Sequence, residues 1–206
     1  MSARDRLAAL MRPMSLIYCL LAAVVLTGCA HPIVISPDVA KIERQAGTQP
    51  IAKNVGYYIP ADKREMAVTT PGGGGDSVSY HPYRDLETAL YRMLSNVFTD
   101  VTVLKAPNDA EEIGKRGVSY VITPTITTSS SSPSPFTWPP TYFGVALTCT
   151  VTDGAGKPVV TKTAMGEGRA EFDEFKSDLP LAGKRAAQDA LLKMQGILLQ
   201  APELKN

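Results

Sequence analysis

Few residues in this 206-residue chain have side chains that chemistry could use, and their spacing narrows the options. The cysteines are Cys19, Cys29 and Cys149. A nucleophilic thiol needs a base or a cation beside it. Cys149 instead sits inside the alternating run Val145 to Val151, where it reads as a small buried hydrophobe. No Gly-x-Ser-x-Gly elbow is present. The two histidines, His31 and His81, are fifty residues apart and have no ligand partners at zinc-site spacing, so neither a metal nor a cofactor is expected. Glu171, Asp173, Glu174 and Asp178 cluster around Phe172 and Phe175. A glycosidase would need two carboxylates at a set separation, but with Lys176 inside it this cluster reads as the solvated start of a helix. Gly72 to Gly75 lack the Lys-Ser/Thr of a phosphate loop and read as a flexible connection. The chain is therefore not expected to be an enzyme, and an unrecognised hydrolase is the weakest of the functional readings.

A different kind of signal lies in Phe136-Thr137-Trp138-Pro139-Pro140-Thr141-Tyr142-Phe143, which holds the only tryptophan. Aromatic side chains stiffened by proline lose little entropy on binding. Phe136, Trp138, Tyr142 and Phe143 are thus candidates for a contact with a protein or a glycan. The competing reading is that they cap the sheet or fold back into the core, and the sequence leaves both open.

Cys29 has the most specific context. Arg4, Arg6 and Arg12 precede an uncharged apolar run from Met14 to Leu26, which is too short for the roughly 20 residues of a spanning helix. A basic start followed by a short apolar stretch is the pattern of an export leader. The run ends in Leu26-Thr27-Gly28-Cys29, which resembles the lipobox of bacterial lipoproteins. That resemblance implies cleavage before Cys29, a diacylglyceryl group on its thiol and further acylation, with palmitate as a typical chain. Several acyl chains hold a domain stably where one does so only marginally. Ala30, rather than Asp, after the cysteine implies the outer membrane, facing the periplasm.

Composition excludes other classes. Lys plus Arg number 21 and Asp plus Glu 20, so no basic footprint for nucleic acid exists. Loss of residues 1–28 would remove three Arg and one Asp and leave the chain near neutral, so attachment would rest on acyl chains rather than on polybasic attraction to lipid. With one cysteine beyond Cys29, no internal disulfide framework is available.

The elements that would position these residues follow from periodicity. Residues 1–28 are expected to be the lipoprotein signal peptide, 29–50 the lipidated cysteine and a flexible tether, and 51–206 a periplasmic domain. Pro32, Pro37, Gly47 and Pro50 suggest the tether, although Ile33 to Ile35 could add a short edge strand. Strands are expected at Asn54 to Ile59, Met66 to Thr70, Val101 to Leu104, Val118 to Thr128, Tyr142 to Thr152 and Val159 to Phe172. The last two are joined by the tight turn Asp153-Gly154-Ala155-Gly156-Lys157. Leu86, Leu90, Met93 and Val97 form one stripe of a helix over 82–98, and Ala187, Leu191, Met194 and Leu198 one of a helix over 177–199. Asp109 to Arg116 form a short helix stopped by Gly117. The order predicts a single α+β domain, a mainly antiparallel sheet with two helices packed on one face.

This plan, with Arg84-Asp85-Leu86 opening the first long helix and Asp153-Gly154-Ala155-Gly156-Lys157 in the meander, resembles the YajG-like family of small bacterial lipoproteins. More distantly it is similar to envelope accessory lipoproteins, such as transporter auxiliary lipoproteins and the penicillin-binding-protein activator group. The resemblance implies an outer-membrane accessory or assembly factor without catalysis, working through an envelope protein partner. A structural or peptidoglycan-binding lipoprotein is the alternative.

Overall fold

The structure is a computed structural model that describes residues 30–134, 137 and 139–205. The chain runs β1 (Ala30–Pro32), β2 (Ile51–Tyr57), α1 (Ala61–Arg64), β3 (Val68–Pro71), β4 (Ser77–Tyr80), α2 (Pro82–Val97), β5 (Phe98–Val103), α3 (Ala110–Arg116), β6 (Val118–Ser131), β7 (Tyr142–Asp153), β8 (Pro158–Arg169), α4 (Phe172–Phe175) and α5 (Leu181–Gln200). The fold is α+β, with a five-stranded sheet in the order β5-β2-β6-β7-β8 and a three-stranded sheet in the order β1-β4-β3. The long β6-β7-β8 meander is antiparallel, as expected. β2 departs from that pattern and pairs in parallel with both β5 and β6. The link from β2 to β5 runs through α2, the kind of crossover a parallel pair requires.

The helices α2 and α5 cover one face of the larger sheet. Leu86, Leu90, Met93 and Val97 of α2, and Ala187, Leu191, Met194 and Leu198 of α5, are all buried in one core. Asn96 Nδ2 donates to Gln195 Oε1 at 2.9 Å and so joins the two helices inside that core. α3 lies on the opposite face, where Ile113 packs on a small second cluster of Leu104, Val118 and Val121. Asp109 caps its start and Gly117, at φ 59°, ends it.

Strand β6 alternates as its sequence requires. Tyr120, Ile122, Pro124 and Ile126 are buried, whereas Thr123, Thr125 and Thr127 lie on the other face. Pro124 lies where the pairing of this strand with β2 stops. Ile122 O still accepts the Tyr58 N–H at 3.0 Å, but the Ile126 N–H already donates to the Tyr83 hydroxyl at 3.1 Å. The next bond of this parallel ladder would need the N–H that Pro124 lacks, so the pairing with β2 goes no further.

At the sheet edge, α5 packs directly onto β8. A Cβ on Gly166 would lie 2.2 Å from the Ala186 carbonyl oxygen, and one on Gly168 2.0 Å from that of Ala182. The unpaired edge is then closed by side chains one helical turn apart. Arg185 donates to Arg169 O at 2.7 Å, Asp189 accepts the Glu167 N–H at 3.0 Å, and Lys193 donates to Met165 O at 3.0 Å. This blocks strand addition at β8.

The segment expected to be a free tether is part of the domain. Ile35 and Ile42 are fully buried and Ile33 nearly so. Burying each of these large side chains contributes about 1.5–3 kcal/mol. Polar groups complete the attachment. Asp85 Oδ2 accepts the Ile35 N–H at 3.1 Å, Ser36 Oγ donates to Asp85 O at 2.7 Å, Asn96 Nδ2 donates to Ile42 O at 3.0 Å, and Gln195 Nε2 donates to Glu43 O at 2.9 Å. The Asp85 of the Arg84-Asp85-Leu86 motif is thus a buried fastener for the N-terminal segment, and burial raises its carboxyl above the usual range.

Candidate functional site

Strand ends converge on one pole of the molecule. Ala30 at the start of β1 is opposite Ser77 at the start of β4, and Ser77 is opposite Pro71 at the end of β3. Ser130 of β6 hydrogen-bonds the Pro71 carbonyl through its hydroxyl, and Ser130 is paired with Phe143 of β7, itself opposite Gly168 of β8. A single row therefore crosses both sheets. Beyond it lie the 72–76 turn, the loop after Ser131 and the segment that follows Arg169.

Hydroxyls hold this row together. Tyr80 OH donates to Thr128 Oγ1 at 2.6 Å and lies 3.2 Å from Thr70 Oγ1, which is 2.6 Å from Ser130 Oγ. These bonds fasten the β3–β4 hairpin to β6. The glycine run makes an ordered turn rather than a loose loop. Asp76 N–H donates to Gly73 O at 3.1 Å, and Gly74 and Gly75 take φ of 66° and 85°, the type I′ geometry that suits a hairpin. Gly73 is buried, and a Cβ there would meet the Thr137 carbonyl, so the Pro/Ser loop rests on this turn.

The four aromatic candidates divide. Phe136 and Trp138 lie outside the described residues. Phe143 is core, 3% exposed, with its ring 5.3 Å from that of Tyr80, which removes it from any contact surface. The period of two explains this, because Phe143, Val145, Leu147, Cys149 and Val151 share the buried face of β7. Tyr142 points the other way, 39% exposed, under the Arg169 guanidinium at 4.8 Å. Sequence reasoning did not single out Phe172 as a contact residue. It is 67% exposed and meets Phe175 edge-on at 5.4 Å. Its place in an acidic stretch after a strand was the available signal. A groove of about 190 Å³ runs between Tyr142, Arg169 and Phe172 and the Pro/Ser loop. At its floor, Thr141 Oγ1 is buried without a hydrogen-bond partner among the described residues.

The acidic cluster is spoken for by cations. Glu174 takes two bonds from Arg185, at 2.7 and 3.0 Å, and forms a capping box with Glu171. The Arg185 guanidinium, with the Glu171 backbone, pulls the Glu174 carboxyl down to about 2. Lys176 pairs with Asp173 at 2.9 Å and Lys184 with Asp178 at 2.8 Å. Cys149 is fully buried, and burial pushes its thiol up to about 12, so it carries no thiolate. His81 Nδ1 lies 2.8 Å from Arg84 Nη2 and His31 Nε2 3.6 Å from Asp76, at separate places. Among the described residues no three His, Cys, Asp or Glu side chains gather as a metal would need. A larger cleft of about 550 Å³ lies between the 45–53 segment and the end of α5, with Lys53 and Lys205 as the charged lining groups among the described residues. What the row pole offers chemically is a contact surface of exposed rings and compensated charges.

No family model matches the sequence, and no curated protein matches it. The fold is shared with protein XCC0632 from Xanthomonas campestris, of the family DUF330. The TM-score is 0.52 at 10% identity, over 84% of this chain and 95% of that one. A looser likeness is to the PelC dodecamer from Paraburkholderia phytofirmans, with TM-score 0.43, 14% identity, and 76% and 96% of the two chains covered. Looser still is a candidate lipoprotein from Caulobacter crescentus CB15, with TM-score 0.32, 14% identity, and 64% and 85% covered. Among the described residues no helix is long and apolar enough to cross a membrane.

Proposed function

We propose that this chain is a bacterial lipoprotein of the outer membrane, facing the periplasm, whose domain works by binding as an accessory or assembly factor. The observation that carries the reading is the order basic start, short apolar run, Leu26-Thr27-Gly28-Cys29. Acyl chains on Cys29 supply the membrane affinity that a near-neutral surface does not. The binding role draws support from the character of the row pole, where Tyr142 and Phe172 are exposed and each acid of the 171–178 cluster is held by a cation or a helix cap. The YajG-like resemblance points the same way. Metabolic labelling with a palmitate analogue tests the anchor. Label on the wild-type chain and none on Cys29→Ser is expected, and equal labelling of both would refute it. Crosslinking in intact cells tests the role. A protein adduct is expected, whereas muropeptide adducts would favour a peptidoglycan-binding lipoprotein.

A further inference from the structure

We infer that the row pole, with Phe172 and Tyr142 at its surface, rests on the bilayer interface beside the lipid anchor. This deepens the lipoprotein reading above and rests on it.

Ala30, the residue after Cys29, is already part of the sheet. It is in register with Ser77, and the Ile33 N–H donates to Ser79 O at 2.9 Å. Ile33 and Ile35 are buried, and Asp85 holds the Ile35 N–H. Cys29 precedes Ala30 by one peptide, a Cα step of about 3.8 Å. An acylated Cys29 therefore leaves almost no slack between the acyl chains and the row. The row belongs to the pole that carries the 72–76 turn, Tyr142, Arg169 and Phe172, and paired strands within each of its two sheets are spaced by about 4.8 Å.

The chemistry of that pole fits an interface. Phe172 is 67% exposed, the largest exposure of any large apolar side chain described, and Tyr142 offers a ring with a polar tip. Rings of this kind favour the headgroup level of a membrane. Two of the nearby acids are paired within the protein, Glu174 with Arg185 and Asp178 with Lys184, and the Arg169 guanidinium stacks on the Tyr142 ring. The opposite pole, the Asp153 to Lys157 turn, lies a full β7 away, twelve residues or about 40 Å.

Full-length acylated protein in phosphatidylethanolamine–phosphatidylglycerol vesicles provides the test. Spin labels are placed singly through Asp173→Cys and Lys157→Cys, while buried Cys149 stays unlabelled. The expected result is that access of a water-soluble nickel chelate to the label at 173 is several-fold lower than at 157, while access of oxygen at 173 is higher. Equal nickel access at both positions, in protein that floats with the vesicles, overturns the docking and leaves the anchor standing. Low access of both reagents at 173 means that protein, such as a second copy, covers the pole, and also overturns it. Protein that does not float with vesicles sinks the lipoprotein reading and this inference together.

Discussion

The two ends of the long meander are built differently. At the far end, Asp153 Oδ1 accepts the N–H groups of Ala155 and Lys157, and the turn is closed by its own hydrogen bonds, with Gly154 set against the Val118 carbonyl and Ile113. At the row end, the strands stop against one another, a chain of hydroxyls ties two sheets, and exposed rings remain. The far end is held by hydrogen bonds within one turn, whereas the row end is tied by hydrogen bonds between distant strands and leaves apolar surface in water. On the proposed reading, the rings left exposed at the row end form the contact face.

The contrast can be broken at several strengths. Phe143→Ala empties a site inside the row pole and should cost about 3–5 kcal/mol, read from the urea midpoint. A loss below that of Asp153→Ala would mean that the pole is not a packed unit. Asp85→Ala leaves the buried Ile35 N–H without an acceptor and should cost about 1–3 kcal/mol. It should also speed amide exchange at Ile35, while Asp85→Asn, which keeps an acceptor, should do less. Asp153→Ala loosens only the far turn and should cost about 0.5–1.5 kcal/mol, with exchange changes confined to that turn.

The smaller effects concern the surface of the row pole. Glu174 is held at about 2, below the ordinary carboxylate value of 4.5. Its pair with Arg185 therefore stabilises fully above 4.5, and that contribution is lost as pH falls through about 2. In an NMR titration Arg185→Gln should return the Glu174 carboxyl toward 4.5, and an unmoved midpoint would show that the guanidinium is not the cause. Phe172→Ser should change stability by no more than about 0.5 kcal/mol, because the ring is mostly in water. The same variant should raise nickel access at a label on position 173 in vesicles, a difference that a purely structural ring would not produce.

What was legible in the sequence was local. The two helical stripes are buried as the 3.6-residue period required, and the Asp153 to Lys157 turn joins the strands it was expected to join. The parallel pairing of β2 was not legible, because it depends on partners that the chain reaches only after α2 and α3. The docking of residues 33–43 was hidden for the same reason. Its prolines and glycine signal a loop, while its fasteners Asp85, Asn96 and Gln195 lie roughly 50 to 150 residues away. Phe143 could have been placed in the core from its period of two with Val145 and Leu147. Tyr142 and Phe172 share a pole only through the β7–β8 register, which no spacing along the chain announces.

Acylation of Cys29 underlies both the proposed function and the proposed docking of the row pole. Mass spectrometry of the mature protein isolated from bacterial envelopes should find an N-terminal peptide that starts at Cys29 and carries a diacylglyceryl group, with or without a further acyl chain on its amine. A mature chain that begins elsewhere, or an unmodified Cys29, would contradict it.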